Sequence, residues 1–132
     1  MKTDLIDSNL LIYLAGREHE KKREKINQLC EKKEFIISSQ SLREVCSVLL
    51  YKYDFYPEKI INIVEYIKKT FEIIEDSSED VLEALKIHEK NKISFWDSLL
   101  VATMKRNRIE TIYTEDKAFE KIAGIKTVNP FK

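Results

Sequence analysis

The feature that most constrains this chain is the alternation of two apolar patterns along it. Short runs, Leu5–Ile6, "FIIS" (35–38), "FEII" (71–74) and "TIYT" (111–114), have the length and content of buried strands. Between them lie longer stretches with helical spacing. Leu42, Val45, Cys46, Leu49, Leu50 and Tyr53 step by three and four, as one face of a helix requires. Ile60, Ile61, Val64 and Ile67 repeat that step after Pro57, a residue suited to a first helical turn. A helical stretch is expected from about Asn9, and "EKKREKINQLCEKK" (20–33) reads as a polar helix with a narrow face of Ile26, Leu29 and Cys30. Ser77 or Ser78 predicts the cap of a helix through His88, and Ser94 opens another through Leu99, Ala102 and Thr103. Lys117 to Ile122 reads as a short helix and "KTVN" (126–129) as an edge strand. Short strands separated by helices pair in parallel through right-handed crossovers. The expected fold class is therefore α/β: one domain over residues 1–132, with a short parallel sheet of four to five strands flanked by helices.

Acids fall at particular places in that frame. Asp7 ends the first strand, and Glu44 lies in the first turn or so of the helix after the second. Asp97 sits in the first turn of the helix opened by Ser94, and Asp116 follows the fourth strand. In a parallel sheet the carboxyl ends of strands and the starts of the next helices share one edge, where ligands bind. Asp4 is excluded, since three residues of extended strand place it about 10 Å back from that edge. Capping offers a competing explanation. Acids in first turns offset the helix dipole, and "SLRE" (41–44) and "SFWD" (94–97) have capping-box spacing. Capping accounts for each acid singly but not for four together, because clustered carboxylates repel unless a cation is present.

Carboxylates without His or Cys beside them suit hard divalent ions. Mg²⁺ keeps most of its waters while binding one or two carboxylates and substrate phosphate oxygens, and such ions support phosphodiester hydrolysis. Zinc is disfavoured, because His19 and His88 stand alone. Lys plus Arg and Asp plus Glu both number 23, so the formal net charge is zero. That argues against a basic nucleic-acid coat while leaving room for a local basic rim. Cys30 and Cys46 have no metal or redox spacing and read as packed, reduced thiols of a cytoplasmic protein. The longest apolar run, Leu10 to Ala15, is too short to span a membrane, and Asp4 and Asp7 ahead of it argue against a secretory signal.

Five pieces, "LIDSNLLIYL" (5–14), "SSQSLREV" (38–45), "ISFWDSLLVATM" (93–104), "IYTED" (112–116) and "TVNPF" (127–131), together resemble the PIN domain, in particular the VapC-type toxins of toxin–antitoxin pairs. They span nearly the whole chain in the family's order. The resemblance implies an endoribonuclease dependent on Mg²⁺ or Mn²⁺, with Asp7, Glu44, Asp97 and Asp116 as its acidic quartet. It also implies a homodimer in the cytoplasm, no membrane association, an RNA substrate such as tRNA or mRNA, and a cognate antitoxin that folds into a groove of the toxin. Asn9 matches a polar residue supporting the first aspartate, and Thr114 a hydroxyl lining the site.

On physical grounds Asp7 and Asp97 are expected as direct or near-direct ligands of the ion, and Glu44, with its longer side chain, is expected to reach it through water. Asp116 holds a second ion or the attacking water, with Glu115 as a substitute if the register differs. Arg43, Lys105, Arg106 and Lys117 are candidates for RNA phosphates, although a solvated helix face explains each of them as well. Phe95 and Trp96 can stack a base or pack into the core beside Asp97. "REHEKKREK" (17–25) reads as a solvated helix or part of an antitoxin groove. Other classes stay open. A haloacid-dehalogenase-like phosphatase wants an aspartate where Asn9 stands. A response receiver wants an early acidic pair and a late strand-end lysine. An inactive PIN-like binding module would have no need of all four acids.

Overall fold

A computed structural model describes residues 4–132. Its strands are β1 (Asp4–Ile6), β2 (Phe35–Ser38), β3 (Glu72–Ile74), β4 (Thr111–Tyr113) and β5 (Lys126–Val128). The helices are α1 (Ser8–Ala15), α2 (Glu20–Lys32), α3 (Ser39–Tyr51), α4 (Pro57–Thr70), α5 (Ser78–Asn91) and α6 (Phe95–Arg106), with a 3₁₀ turn at Lys117–Lys121. The five strands form one sheet in the order β3-β2-β1-β4-β5, and every pairing is parallel. Order matters for function. The chain winds outward from β1 to β2 and β3, then returns to β1's other side for β4 and β5. The reversal puts a topological switch point between β1 and β4, where an open α/β sheet leaves a crevice beyond its strand ends.

Side chains alternate across the sheet and split the core in two. Leu5, Ile36 and Ile112 join Leu99–Ala102 and Met104 of α6 and Ala84 and Ile87 of α5. Ile6, Phe35 and Ile37 point the other way, onto Leu10 and Leu11 of α1, Ile26 of α2, Val45 and Leu49 of α3, and Ile60 and Ile67 of α4. Both faces are covered, which is why the strands read as continuous apolar runs and not as alternating ones. Each fully buried Leu or Ile contributes about 1.5–3 kcal/mol. Helix starts follow local chemistry: Pro57 occupies the first turn of α4, and Ser77 and Asp80 cap α5 reciprocally.

Some expectations need correction. The helix carrying Glu44 begins at Ser39, and its cap is Ser38, whose Oγ accepts from the Ser41 amide at 3.0 Å. Ser41 and Glu44 are therefore not a capping box, and Glu44 lies in the second turn of α3. Tyr53 lies beyond the end of α3, the helix after Ser77 runs on to Asn91, and the helix after Asp116 is a 3₁₀ turn. Asp4 pairs with Lys33 at 2.7 Å, at the opposite end of β1 from Asp7.

Candidate functional site

Parallel register builds the first half of the site. Ile6 of β1 sits beside Tyr113 of β4, and the Asp7 amide donates to the Tyr113 carbonyl at 3.0 Å. The residues after these two strands, Asp7 and Thr114, are thereby set side by side at the switch point. Asp7 is only 8% exposed. Its Oδ1 accepts from the Ser8 amide at 2.8 Å and caps α1, while Oδ2 accepts from the Thr114 hydroxyl at 2.8 Å. The Thr114 Oγ1 in turn accepts from the Asn9 amide at 3.4 Å and from the Asp116 backbone at 3.0 Å. One buried hydroxyl thus links Asp7, Asn9 and Asp116. Among the described residues the buried Asn9 Oδ1 has no hydrogen-bond partner.

The other acids arrive from α3 and α6. Glu44 accepts from Gln40 Nε2 at 3.3 Å and, on its other oxygen, from the Ser8 hydroxyl at 3.5 Å. Asp97 is held by Ser94, whose Oγ accepts from the Asp97 amide at 3.0 Å. Asp116 faces solvent, and its Oδ1 accepts from the Ala118 amide at 2.9 Å.

Electrostatics shows that the four acids sense one another. Burial pushes the Asp7 carboxyl up to about 6; bonds from Thr114 and Ser8 pull it down, and the charges of Glu44 and Asp97 push it up further. Glu44 is raised by desolvation and by Asp97, against bonds from Gln40 and Ser8 and the charge of Arg43. Asp97 is raised by burial and by the charge of Asp116, against its bond with Ser94. Each raised carboxyl marks a negative charge that its surroundings do not balance. Hydrogen bonds alone leave that charge uncompensated.

The donor set is all oxygen and suits a hard cation. Among the described residues no three His, Cys, Asp or Glu side chains close into a metal cage. Oxygen donors of this kind would suit a hard divalent ion that one or two carboxylates hold and water otherwise surrounds.

The remaining candidates scatter. Glu115 is engaged by the Tyr13 hydroxyl and by Lys22 at 2.8 Å. Burial raises its carboxyl, and these two bonds more than offset that and leave it low. Arg43 lies beside Glu44 and pairs with Asp76 at 2.9 Å. Arg106 grips the buried Asp80 through Nε at 2.8 Å and a second nitrogen at 2.9 Å. Lys105 lines a separate groove with Lys86, Lys90 and Lys121, one that none of the four acids lines. Lys117, exposed, directly follows Asp116. Phe95 packs against the core, but Trp96 is 62% exposed, so core packing does not describe it. Sequence reasoning passed over Ser8 and Gln40. Gln40 had a signal, since it stands four residues before Glu44 on one helix face.

Comparison with known proteins adds a family. The model of the PIN domain matches residues 5–125. A VapC ribonuclease of Aquifex aeolicus (strain VF5) is 27% identical, with 97% of each chain covered. A toxin–antitoxin complex from Klebsiella pneumoniae contains a similar chain, at TM-score 0.73 and 25% identity, covering 98% of this chain and 99% of that one. A DNA-bound VapBC from Salmonella typhimurium shares the fold at TM-score 0.71 and 21% identity, covering 98% and 99%.

Proposed function

The chain belongs to the PIN-domain family, and from that premise we propose that it is an endoribonuclease, dependent on Mg²⁺ or Mn²⁺, acting as the toxin of a toxin–antitoxin pair. The observation that carries this reading is the set of raised carboxyls at the switch point, Asp7 at about 6 with Glu44 and Asp97 also up. Unbalanced negative charge held in a crevice is costly for a metal-free fold, and a divalent cation removes the cost. Residues 1–132 form one such domain. The toxin role rests on the names of its relatives, a VapC ribonuclease and a toxin–antitoxin complex. On that basis the protein works in the cytoplasm as a homodimer, with an antitoxin protein as partner and tRNA or mRNA as substrate. Among the described residues no helix is long and apolar enough to cross a membrane.

In this reading Asp7 and Asp97 would hold the ion directly or nearly so, and Glu44 would reach it through water. A divalent ion bound there would supply a water of lowered pKa and positive charge facing the phosphodiester. Thr114 fixes the rotamer of Asp7 by donating to Oδ2, so the other oxygen stays with Ser8 and the carboxylate plane is set. Asp116, exposed at the surface, orients the attacking water on the solvent side. Hydrolysis then forms one P–O bond to that water and breaks one P–O bond of the strand; the water gives its proton to a neighbouring carboxylate or to solvent, and the departing strand oxygen takes one from solvent.

The test is direct. Metal-stripped protein should cut RNA only after Mg²⁺ or Mn²⁺ is added, and expression should arrest growth unless the adjacent small gene is co-expressed. Cleavage that continues undiminished in EDTA sinks the metal mechanism. Untouched growth despite soluble, cleavage-competent protein sinks the toxin role alone.

A further inference from the structure

We propose that Trp96 is the stacking platform for one nucleobase of a single-stranded RNA substrate, which rests on the ribonuclease reading above and names its substrate class. Trp96 is the chain's single tryptophan and stands 62% exposed in the first turn of α6, one residue before Asp97. Leaving that indole in water forgoes the burial that about 25 cal/mol per Å² would reward. Phe95, anchored on the core, supports it from the side, with ring centroids 5.3 Å apart and planes at 74°.

The indole walls an open pocket of about 350 Å³ whose other lining residues are Gln40, Arg43, Glu44 and Ser47. One member of the acid quartet therefore lines the same pocket as the tryptophan. Gln40 ties the two together. Its Nε2 donates to the Trp96 carbonyl at 2.9 Å and to Glu44 Oε1 at 3.3 Å, and its side chain is 5% exposed. Both partners are acceptors, so the amide has only one orientation and the bridge is fixed.

The lining matches a nucleotide in each of its parts. An aromatic face takes a base whatever its identity, at about 1–3 kcal/mol per base. The Arg43 guanidinium has five N–H donors and gives one nitrogen to Asp76, leaving others for a phosphate. Ser47 adds a hydroxyl at the rim. Bases inside a duplex are already stacked and do not reach such a platform, whereas those of a loop or free end do.

Because Trp96 is the only tryptophan, its fluorescence reads the platform directly. In stopped-flow mixing with Mg²⁺ present, single-stranded RNA should quench the wild-type protein saturably and duplex RNA should not. Trp96→Ala should raise KM for single-stranded RNA about 5- to 150-fold, the span of one stacked base, with kcat changed far less. Trp96→Phe or Trp96→Tyr should restore most of the loss. Cleavage without quenching, or a Trp96→Ala KM equal to wild type, overturns the platform and leaves the nuclease standing. A Trp96→Ala variant that changes oligomeric state with KM unaltered assigns the indole to a second copy and also overturns it. If the wild type neither cuts nor binds any RNA, the ribonuclease reading falls, and the platform with it.

Discussion

Replacing Asp7 by Asn separates a desolvated charge from a helix cap. Asn caps a helix about as well as Asp, so a pure capping role predicts no pH-dependent effect. The structure predicts a large one. The Asp7 carboxyl stands at about 6 against an ordinary 3.8, mainly through burial. At about 1.36 kcal/mol per unit, that is about 3 kcal/mol. A raised acid binds its proton more tightly when folded. Its contribution is therefore present in full below about pH 4 and is lost as pH rises through about 6. Above that, the metal-free wild type bears the whole cost and Asp7→Asn does not. The variant has its own cost at every pH. Its amide can keep the Ser8 contact through oxygen but must turn N–H toward Thr114 Oγ1, which already accepts from Asn9 and Asp116. That crowding costs about 1–3 kcal/mol. The net expectation is a variant less stable than wild type at pH 4 and equal or more stable at pH 7.5. The change between the two conditions is about 2.5 kcal/mol whatever the hydrogen-bond cost, because at pH 4 the unfolded carboxyl is already partly ionised. At about 4 °C per kcal/mol, the melting temperatures should shift against each other by about 10 °C. Thermal melts in EDTA at both pH values give the number, and Mg²⁺ should raise the wild-type melt at pH 7.5 but not the variant's. A melting difference that is the same at pH 4 and pH 7.5 refutes the reasoning.

Asp97→Asn should cut RNA cleavage about a hundredfold or more, the scale of losing an electrostatic element of a site. Its metal-free fold should be no less stable, since burial and the Asp116 charge already raise Asp97. A variant that is destabilised by about 0.3–1 kcal/mol and cuts at the wild-type rate would make Asp97 a cap alone. Arg106→Ala should cost about 1–3 kcal/mol by leaving the buried Asp80 short of its bidentate partner. Its kcat/KM on RNA should be unchanged, and a tenfold fall in a fully folded variant would return Arg106 to the RNA contacts.

What the sequence determined by itself was local. Strand and helix patterns recur every few residues, so composition and spacing are enough to place "FIIS" in β2 and the stepping apolar residues in α3. The acids' positions relative to strand ends follow from the same count. Resemblance of five short pieces carried the family, because each keeps its residues in order along the chain. Tertiary structure decided what depends on residues far apart. Strand order β3-β2-β1-β4-β5 is not written in any window of sequence, yet it alone puts Asp7 next to Thr114, 107 residues away. The Ser38 cap took the place of the Ser41–Glu44 spacing because the backbone turns into α3 at the strand end and the first free amides lie there. Exposure likewise escaped the pattern. Phe95 and Trp96 are adjacent and equally apolar, and only the packing of α6 sends one into the core and leaves the other in water. The raised carboxyl of Asp7 has the same origin: a pKa follows from what surrounds a group in space, and helices distant in sequence supply those surroundings.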